Sequence, residues 1–226
     1  GASLYDVAVL DGNGFGQLSD VLAGIDWVIH HAREYNIRVM NLSVGAGVYE
    51  TYETDPLTLA AKRAVDAGIV VVAAAGNLGR NATAESLYGG ITSPGNAPWV
   101  LTVGASSTEG TAGRSDDTIA GFSSRGPTAI DYLAKPDLVA PGTGMVSTSD
   151  PNSLLYLTKP QALLSGSVPT AYLPYLSLSG TSMAAPVVAG SVALMLEANP
   201  ALTPNLVKAI LQYTSQARPQ YDFLTQ

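Results

Sequence analysis

The run Leu178-Ser179-Gly180-Thr181-Ser182-Met183-Ala184-Ala185-Pro186 delivers one serine to the start of an apolar helical stretch. Small residues on both sides let a substrate backbone approach, and a helix start offers free N–H groups and the positive end of a dipole to a developing anion. That setting suits acyl transfer, with Ser182 as nucleophile and its own backbone N–H as one donor. Two other segments supply matching parts. Val72-Ala73-Ala74-Ala75-Gly76-Asn77 is an apolar run that breaks at Gly76 and exposes the Asn77 carboxamide. An amide donor aimed at a tetrahedral oxyanion contributes roughly 3–4 kcal/mol to a transition state. Asn41-Leu42-Ser43-Val44-Gly45 reads as a strand end whose backbone can pair with an extended peptide. Each residue alone has a plainer reading, Ser182 as a helix cap and Asn77 as a turn residue; the order and company of the segments favour chemistry. The base is the missing part. The only histidines are His30 and His31, adjacent on the polar side of a predicted helix and expected to be solvated rather than catalytic.

These residues need a scaffold, and the rest of the chain reads as an α/β one. Tyr5 to Leu10 is predicted as a strand, followed by an amphipathic helix with Val21, Ile25, Val28, Ile29 and Ala32 inward, then a strand from Arg38 to Val44. A helix from about Pro56 to Asp66, stopped by Gly68, leads into the apolar strand Ile69 to Ala75, whose lack of alternation marks it as covered on both faces. A strand from Trp99 to Ala105 follows, then a short one around Asp137 to Ala140 with a Pro141-Gly142 stop. Two helices close the chain. The first runs from about Ser182 to Ala198, with Pro186 placed in its first turn; Thr203 as N-cap and Pro204 at N1 announce the second. The order implies a mainly parallel central sheet flanked by helices, with ligands at the carboxyl ends of the strands.

Composition narrows the function. With 226 residues, 46% of them apolar, and 23 Gly and 14 Pro, the chain reads as one compact domain with many turns. Eleven basic against 18 acidic residues give a net charge of −7, and no basic stripe tracks a phosphate backbone, so nucleic acid is a poor partner. The absence of cysteine excludes disulfide scaffolds, thiol nucleophiles and thiolate metal sites. The apolar runs Ile69 to Ala75 and Val187 to Leu196 are about half the length of a bilayer span, so no membrane partner is expected. Gly1 to Asp6 shows no signal peptide. Asp11 in Asp-Gly-Asn-Gly is expected to be a turn residue rather than a calcium ligand, and Gly12, Gly14 and Gly16 lack the last glycine of a dinucleotide fingerprint. Asn41-Leu42-Ser43 and Asn81-Ala82-Thr83 match glycosylation acceptors only at chance level.

In their order, the three chemistry-bearing segments resemble the subtilisin-like serine peptidases, the subtilases. Further matching runs are Val9-Leu10-Asp11-Gly12-Asn13-Gly14, Phe122-Ser123-Ser124-Arg125-Gly126-Pro127 and Lys135-Pro136-Asp137-Leu138-Val139-Ala140-Pro141-Gly142. The resemblance covers nearly the whole chain. It implies a subtilisin-like fold, a polypeptide substrate, Ser182 as nucleophile, Asn77 as oxyanion donor, and Ser43, Val44 and Gly45 as the strand that pairs with substrate. Ala73, Ala74, Ala75, Gly76 and Gly180 then line the pocket for the side chain before the scissile bond, small residues resembling those of broad, apolar pockets. It implies no cofactor for the chemistry, structural calcium in many members, and secretion.

Departures from the family pattern matter as much. The family's catalytic aspartate and histidine lie upstream of the Val-Leu-Asp-Gly-Asn-Gly run, near which this chain starts. The fold is therefore expected to be incomplete on its N-terminal side, and this chain alone to be inactive. The stretch of about 143–178 exceeds the family's usual connection and is expected to form an extra hairpin or flap near the site. Val187 stands where many members carry a histidine, and is read as packing. Besides a truncated endopeptidase, the residues admit a peptide-binding pseudopeptidase, or one half of a split enzyme that would be aggregation-prone alone.

Overall fold

The computed structural model describes residues 1–226. Its frame is a sheet built on β1 (Val39–Leu42), β2 (Val70–Ala74), β3 (Leu101–Ser107) and β5 (Leu138–Pro141), all parallel, with β4 (Thr118–Ile119) antiparallel at the far end of β3. β2 lies between β1 and β3, and every residue in it is buried. Its alternating side chains serve two cores. Val70, Val72 and Ala74 join the cluster under α4 (Thr181–Ala198), with Ala184, Ala185, Val188 and Val192; Val71 and Ala73 join that under α1 (Leu18–His31) and α2 (Pro56–Asp66). A strand with both faces covered has no place for the polar alternation of a half-exposed one. The mainly parallel sheet between helical layers is the architecture expected.

Local chemistry sets the element ends. The Asp55 carboxylate accepts the N–H groups of Leu57 and Thr58, with Pro56 at the first position of α2, and Gly68 leaves that helix at φ +88°. Thr203 caps α5 (Pro204–Thr214) in the same way.

Three expectations change. Tyr5 to Leu10 does not form a strand. β1 pairs only with β2, and without a neighbouring ladder alternation alone cannot make a strand. Val7 and Val9 instead lie half-buried on α1, where a Cβ on Gly24 would come within 2.6 Å of Val9 Cγ1. Pro186 is not in the first turn but is the sixth residue of α4, where a proline removes a backbone donor from the helix. α4 is, by length and composition, apolar enough to cross a membrane, with a mean hydropathy of 1.4 over 18 residues. It qualifies where the contiguous runs do not because Gly, Ser and Ala bridge its apolar residues; here it packs on β1, β2, β3 and β5.

The 143–178 stretch folds as a small sheet of β6 (Met145–Thr148), β8 (Tyr175–Leu178) and β7 (Leu163–Leu164), with α3 (Leu154–Thr158) between β6 and β7. Gly180 N–H donates to Gly142 O at 2.8 Å, and Gly144 N–H to Ser179 Oγ at 2.9 Å, so the base of this sheet sits beside the start of α4.

One buried charge cluster joins β3, β5 and α5. Lys135 Nζ, 2% exposed, donates to Val100 O at 2.9 Å, Thr102 Oγ1 at 2.9 Å and Asp137 Oδ2 at 2.7 Å. Lys208 Nζ reaches the other carboxylate oxygen at 2.9 Å and donates to Pro98 O and Val100 O. Two ammonium groups thus share one carboxylate. Burial pushes Lys135 down to about 7, against the raising pull of Asp137 and with Lys208 adding to the depression.

Candidate active site

The carboxyl ends of β1 and β2 and the start of α4 converge on one side of the sheet. Ser182 is the second residue of α4, where a helix leaves N–H groups without intrahelical acceptors. Ser182 and Ser43 form a reciprocal pair: Ser182 Oγ donates to Ser43 O at 3.0 Å, and Ser43 Oγ donates to Ser182 O at 2.8 Å. Pro186 makes the second bond available. In a regular helix Ser182 O would accept from the N–H four residues on, and that residue is a proline with no N–H to give. Asn41 Nδ2 donates to Ser43 Oγ at 2.9 Å, extending the chain of contacts along β1.

Asn77 is oriented from the same helix. Its Oδ1 accepts from Thr181 N at 3.0 Å and Thr181 Oγ1 at 3.1 Å. Because a backbone N–H can only donate, the oxygen is fixed there and the amide nitrogen must face the other way. Nδ2 lies 3.5 Å from where a Cβ on Gly180 would stand, beside the nucleophile turn. Thr181, fully buried, also accepts from Gly76 N at 3.1 Å and so ties the end of β2 to the start of α4. Gly76 has φ +104°, and a Cβ on it would lie 2.8 Å from Ser124 Oγ. Only glycine suits that backbone and that space.

The structure therefore brings together Ser182, Asn77, Ser43, Val44, Gly45, Ala74, Ala75, Gly76 and Gly180. Ala73, expected in the pocket wall, is instead fully buried in the core beneath α1 and α2, because its side chain alternates to the face of the sheet away from α4. The histidines are elsewhere. His30 and His31 end α1, on the face of the sheet opposite α4, where each Nδ1 bonds a helix carbonyl and His31 stacks on Trp27 at 4.3 Å. Sequence reasoning missed Thr181 and Pro186 as positioning residues. Both lie in the run that identified Ser182, but their partners are more than a hundred residues away or depend on a helix register that the sequence leaves open.

A groove of about 390 Å3 opens on the other side of Ser182, walled by Ser182, Met183, Pro186 and Val187 of α4 and by β6 and β8. Val187 packs there, and the extra sheet stands near the site as expected. No group of three or more His, Cys, Asp or Glu side chains converges in the chain.

A helix-start serine, an anchored carboxamide and a strand end are thus gathered at the carboxyl ends of a mainly parallel α/β sheet. The chain belongs to the subtilase family of serine peptidases, whose Peptidase_S8 family matches residues 1–225. It is 42% identical over 216 residues to the serine protease AprX of Bacillus subtilis strain 168, covering 93% of this chain and 46% of that protein. It is 35% identical to the extracellular serine proteinase of Thermus sp. strain Rt41A, covering 94% of this chain and 40% of that protein. A solved cold-adapted subtilisin-like serine proteinase superposes with a TM-score of 0.64 at 29% identity, covering 95% of this chain and 61% of its own. The chain thus spans less than half the length of these two protease relatives.

Proposed function

We propose that this chain is part of the catalytic domain of a subtilisin-type serine endopeptidase, with Ser182 as nucleophile. In the complete site a histidine takes the Ser182 Oγ proton as that oxygen bonds to the peptide carbonyl carbon, and then protonates the leaving amine as the C–N bond breaks. Water hydrolyses the resulting acyl-enzyme by the same route in reverse. Asn77 Nδ2 and the Ser182 N–H hold the oxyanion, while Ser43-Val44-Gly45 pairs with the substrate backbone. The observation that carries this reading is the orientation of Asn77: Thr181 holds its oxygen, leaving its amide donor beside the serine turn.

The aspartate and histidine belong, in this reading, to a segment outside the chain. Three features support it. Ser182 Oγ bonds a carbonyl rather than an imidazole. β1 has a strand partner on one side only. The groove between α4 and β6–β8 opens directly on Ser182, leaving room for a base. The isolated chain then hydrolyses peptides near background, because triad members act as a unit. Its substrates are polypeptides, and the complete protein is secreted, as the name of the Thermus relative suggests for that protein.

Labelling with a fluorophosphonate serine-hydrolase probe tests this, comparing the chain alone, the chain extended by its own upstream coding sequence, and Ser182→Ala in each. Labelling of the extended wild type alone supports the proposal. An extended protein that folds but stays unlabelled overturns it in favour of a peptide-binding pseudopeptidase.

A further inference from the structure

Asn13 is the chain's only asparagine followed by glycine. The pair lies in the exposed loop that leads into α1. Gly14 has φ +82°, and a Cβ built on it or on Gly12 would meet nothing within 4 Å. No neighbouring bulk crowds the peptide bond between Asn13 and Gly14, and Gly14 itself adds none.

One carboxylate organises this loop. Asp11 Oδ1 accepts from Asn13 N at 2.9 Å and from Phe15 N at 3.0 Å, while Oδ2 lies 3.5 Å from Asn13 Nδ2. Asp11 N donates to Phe15 O at 2.7 Å, and Gly14 N to Asp11 O at 3.0 Å. The Phe15 and Asn13 amides hold the Asp11 carboxyl below the ordinary carboxylate range, so it is ionised. A single bond therefore restrains the Gly14 nitrogen, and a bond of this kind contributes only about 0.5–1.5 kcal/mol. The Asn13 carboxamide is tethered only by its long contact with Asp11.

We infer that Asn13 is a site of spontaneous deamidation. The Gly14 amide nitrogen gives its proton to hydroxide and bonds to Asn13 Cγ; the Cγ–Nδ2 bond breaks, and Nδ2 takes a proton from solvent and leaves as ammonia. Water then adds to either carbonyl of the five-membered imide, leaving aspartate or isoaspartate at position 13. Water is the only co-reactant. Other asparagines lack one requirement or another: Asn36 precedes the β-branched Ile37, Asn199 precedes Pro200 with no N–H, and Asn96 is fully buried. Asn152 is equally exposed but is followed by Ser153.

Either product sets a second negative charge beside Asp11, and isoaspartate also adds a methylene to the main chain inside the loop that Asp11 closes. The loop is folded tightly on the segment before it, since a Cβ on Gly16 would run into Val9 O. Val7 and Val9 of that segment are half-buried on α1. Opening the loop frees them, so the modification is a clock that loosens the N-terminal segment from α1 as the molecule ages.

The test ages the chain in mildly alkaline and mildly acidic buffer, native and in urea, and maps its peptides by mass spectrometry. In alkaline buffer the native chain is expected to convert Asn13 into two isomers one mass unit heavier, at least about tenfold faster than Asn152, a barrier difference of about 1.4 kcal/mol. Acid buffer slows the reaction, and Asn13→Gln, which would need a larger ring, stays unmodified. Conversion of Asn13 in urea alone, or of Asn152 at an equal rate, overturns the assignment. A protease that cuts after aromatic residues then reads the consequence. It should cleave at Tyr5 or Phe15 at least about threefold faster in the aged chain than in fresh chain or aged Asn13→Gln, because cleavage tracks the opened population. Equal cleavage overturns the clock and leaves the modification site standing.

Discussion

Replacing Lys135 with methionine should remove a rise of stability with pH that the wild type carries. In the native state burial holds the Lys135 ammonium down to about 7, against an ordinary value of 10.5. Between those two pH values the unfolded chain holds a proton that the native chain has released, so stability increases with pH. Below about 7 both states are protonated and the cost of the buried charge is fully present; above about 10.5 it is gone. One proton per molecule corresponds to at most about 1.4 kcal/mol per pH unit, or roughly 2–3 kcal/mol between pH 7.5 and 9.5. The main cause is burial, and the second ammonium adds to it: Lys135 and Lys208 share the single Asp137 carboxylate, so losing one proton leaves a balanced pair. Methionine keeps the length and apolar stem but cannot titrate. Urea unfolding followed by tryptophan fluorescence at several pH values measures both proteins. The difference between them, which cancels groups common to both, should grow in favour of the wild type as pH rises. A difference that stays flat from pH 7 to 10 would refute the reasoning.

Gly76→Ala, which forces a Cβ into a left-handed backbone and against Ser124 Oγ and Thr92, should cost about 2–4 kcal/mol by urea unfolding. Thr181→Val removes the acceptor for Gly76 N–H and one of two donors to Asn77 Oδ1. It should cost about 1–3 kcal/mol in the same assay, and lower probe labelling of the upstream-extended protein. Ser43→Ala leaves Ser182 O without the hydroxyl that now donates to it, an expected loss of about 1–2 kcal/mol. Pro186→Ala in that background restores an N–H for the same carbonyl, and should recover part of the loss.

Helix α2 and the start of α5 were legible almost to the residue because those ends are written locally, as Pro56, Gly68 and Thr203-Pro204. β2 was legible because seven apolar residues in a row admit only burial on both faces. Tyr5 to Leu10 was misread for the complementary reason: a strand needs a partner, and whether one stands beside β1 is not written in the six residues themselves. The site divides the same way. Ser182, Asn77 and Ser43–Gly45 could be found because each sits where an element ends, in a run of small residues. Thr181 and Pro186 could not, because what they do depends on atoms reached only through the fold.

A proline deep in the second turn of a helix usually reads as a tolerated flaw. In α4 the serine and the proline four residues later behave as a matched pair: the imino acid leaves the serine's carbonyl uncommitted, and a hydroxyl from a different element takes it up. For protein design this is a portable fastening. A helix can be bolted by its first turn to a strand end through one of its own backbone carbonyls, a bond that does not depend on the serine's hydroxyl. Moving the proline along such a helix would give that carbonyl back its intrahelical N–H donor, and the helix start would lose its anchor even though the serine stayed in place.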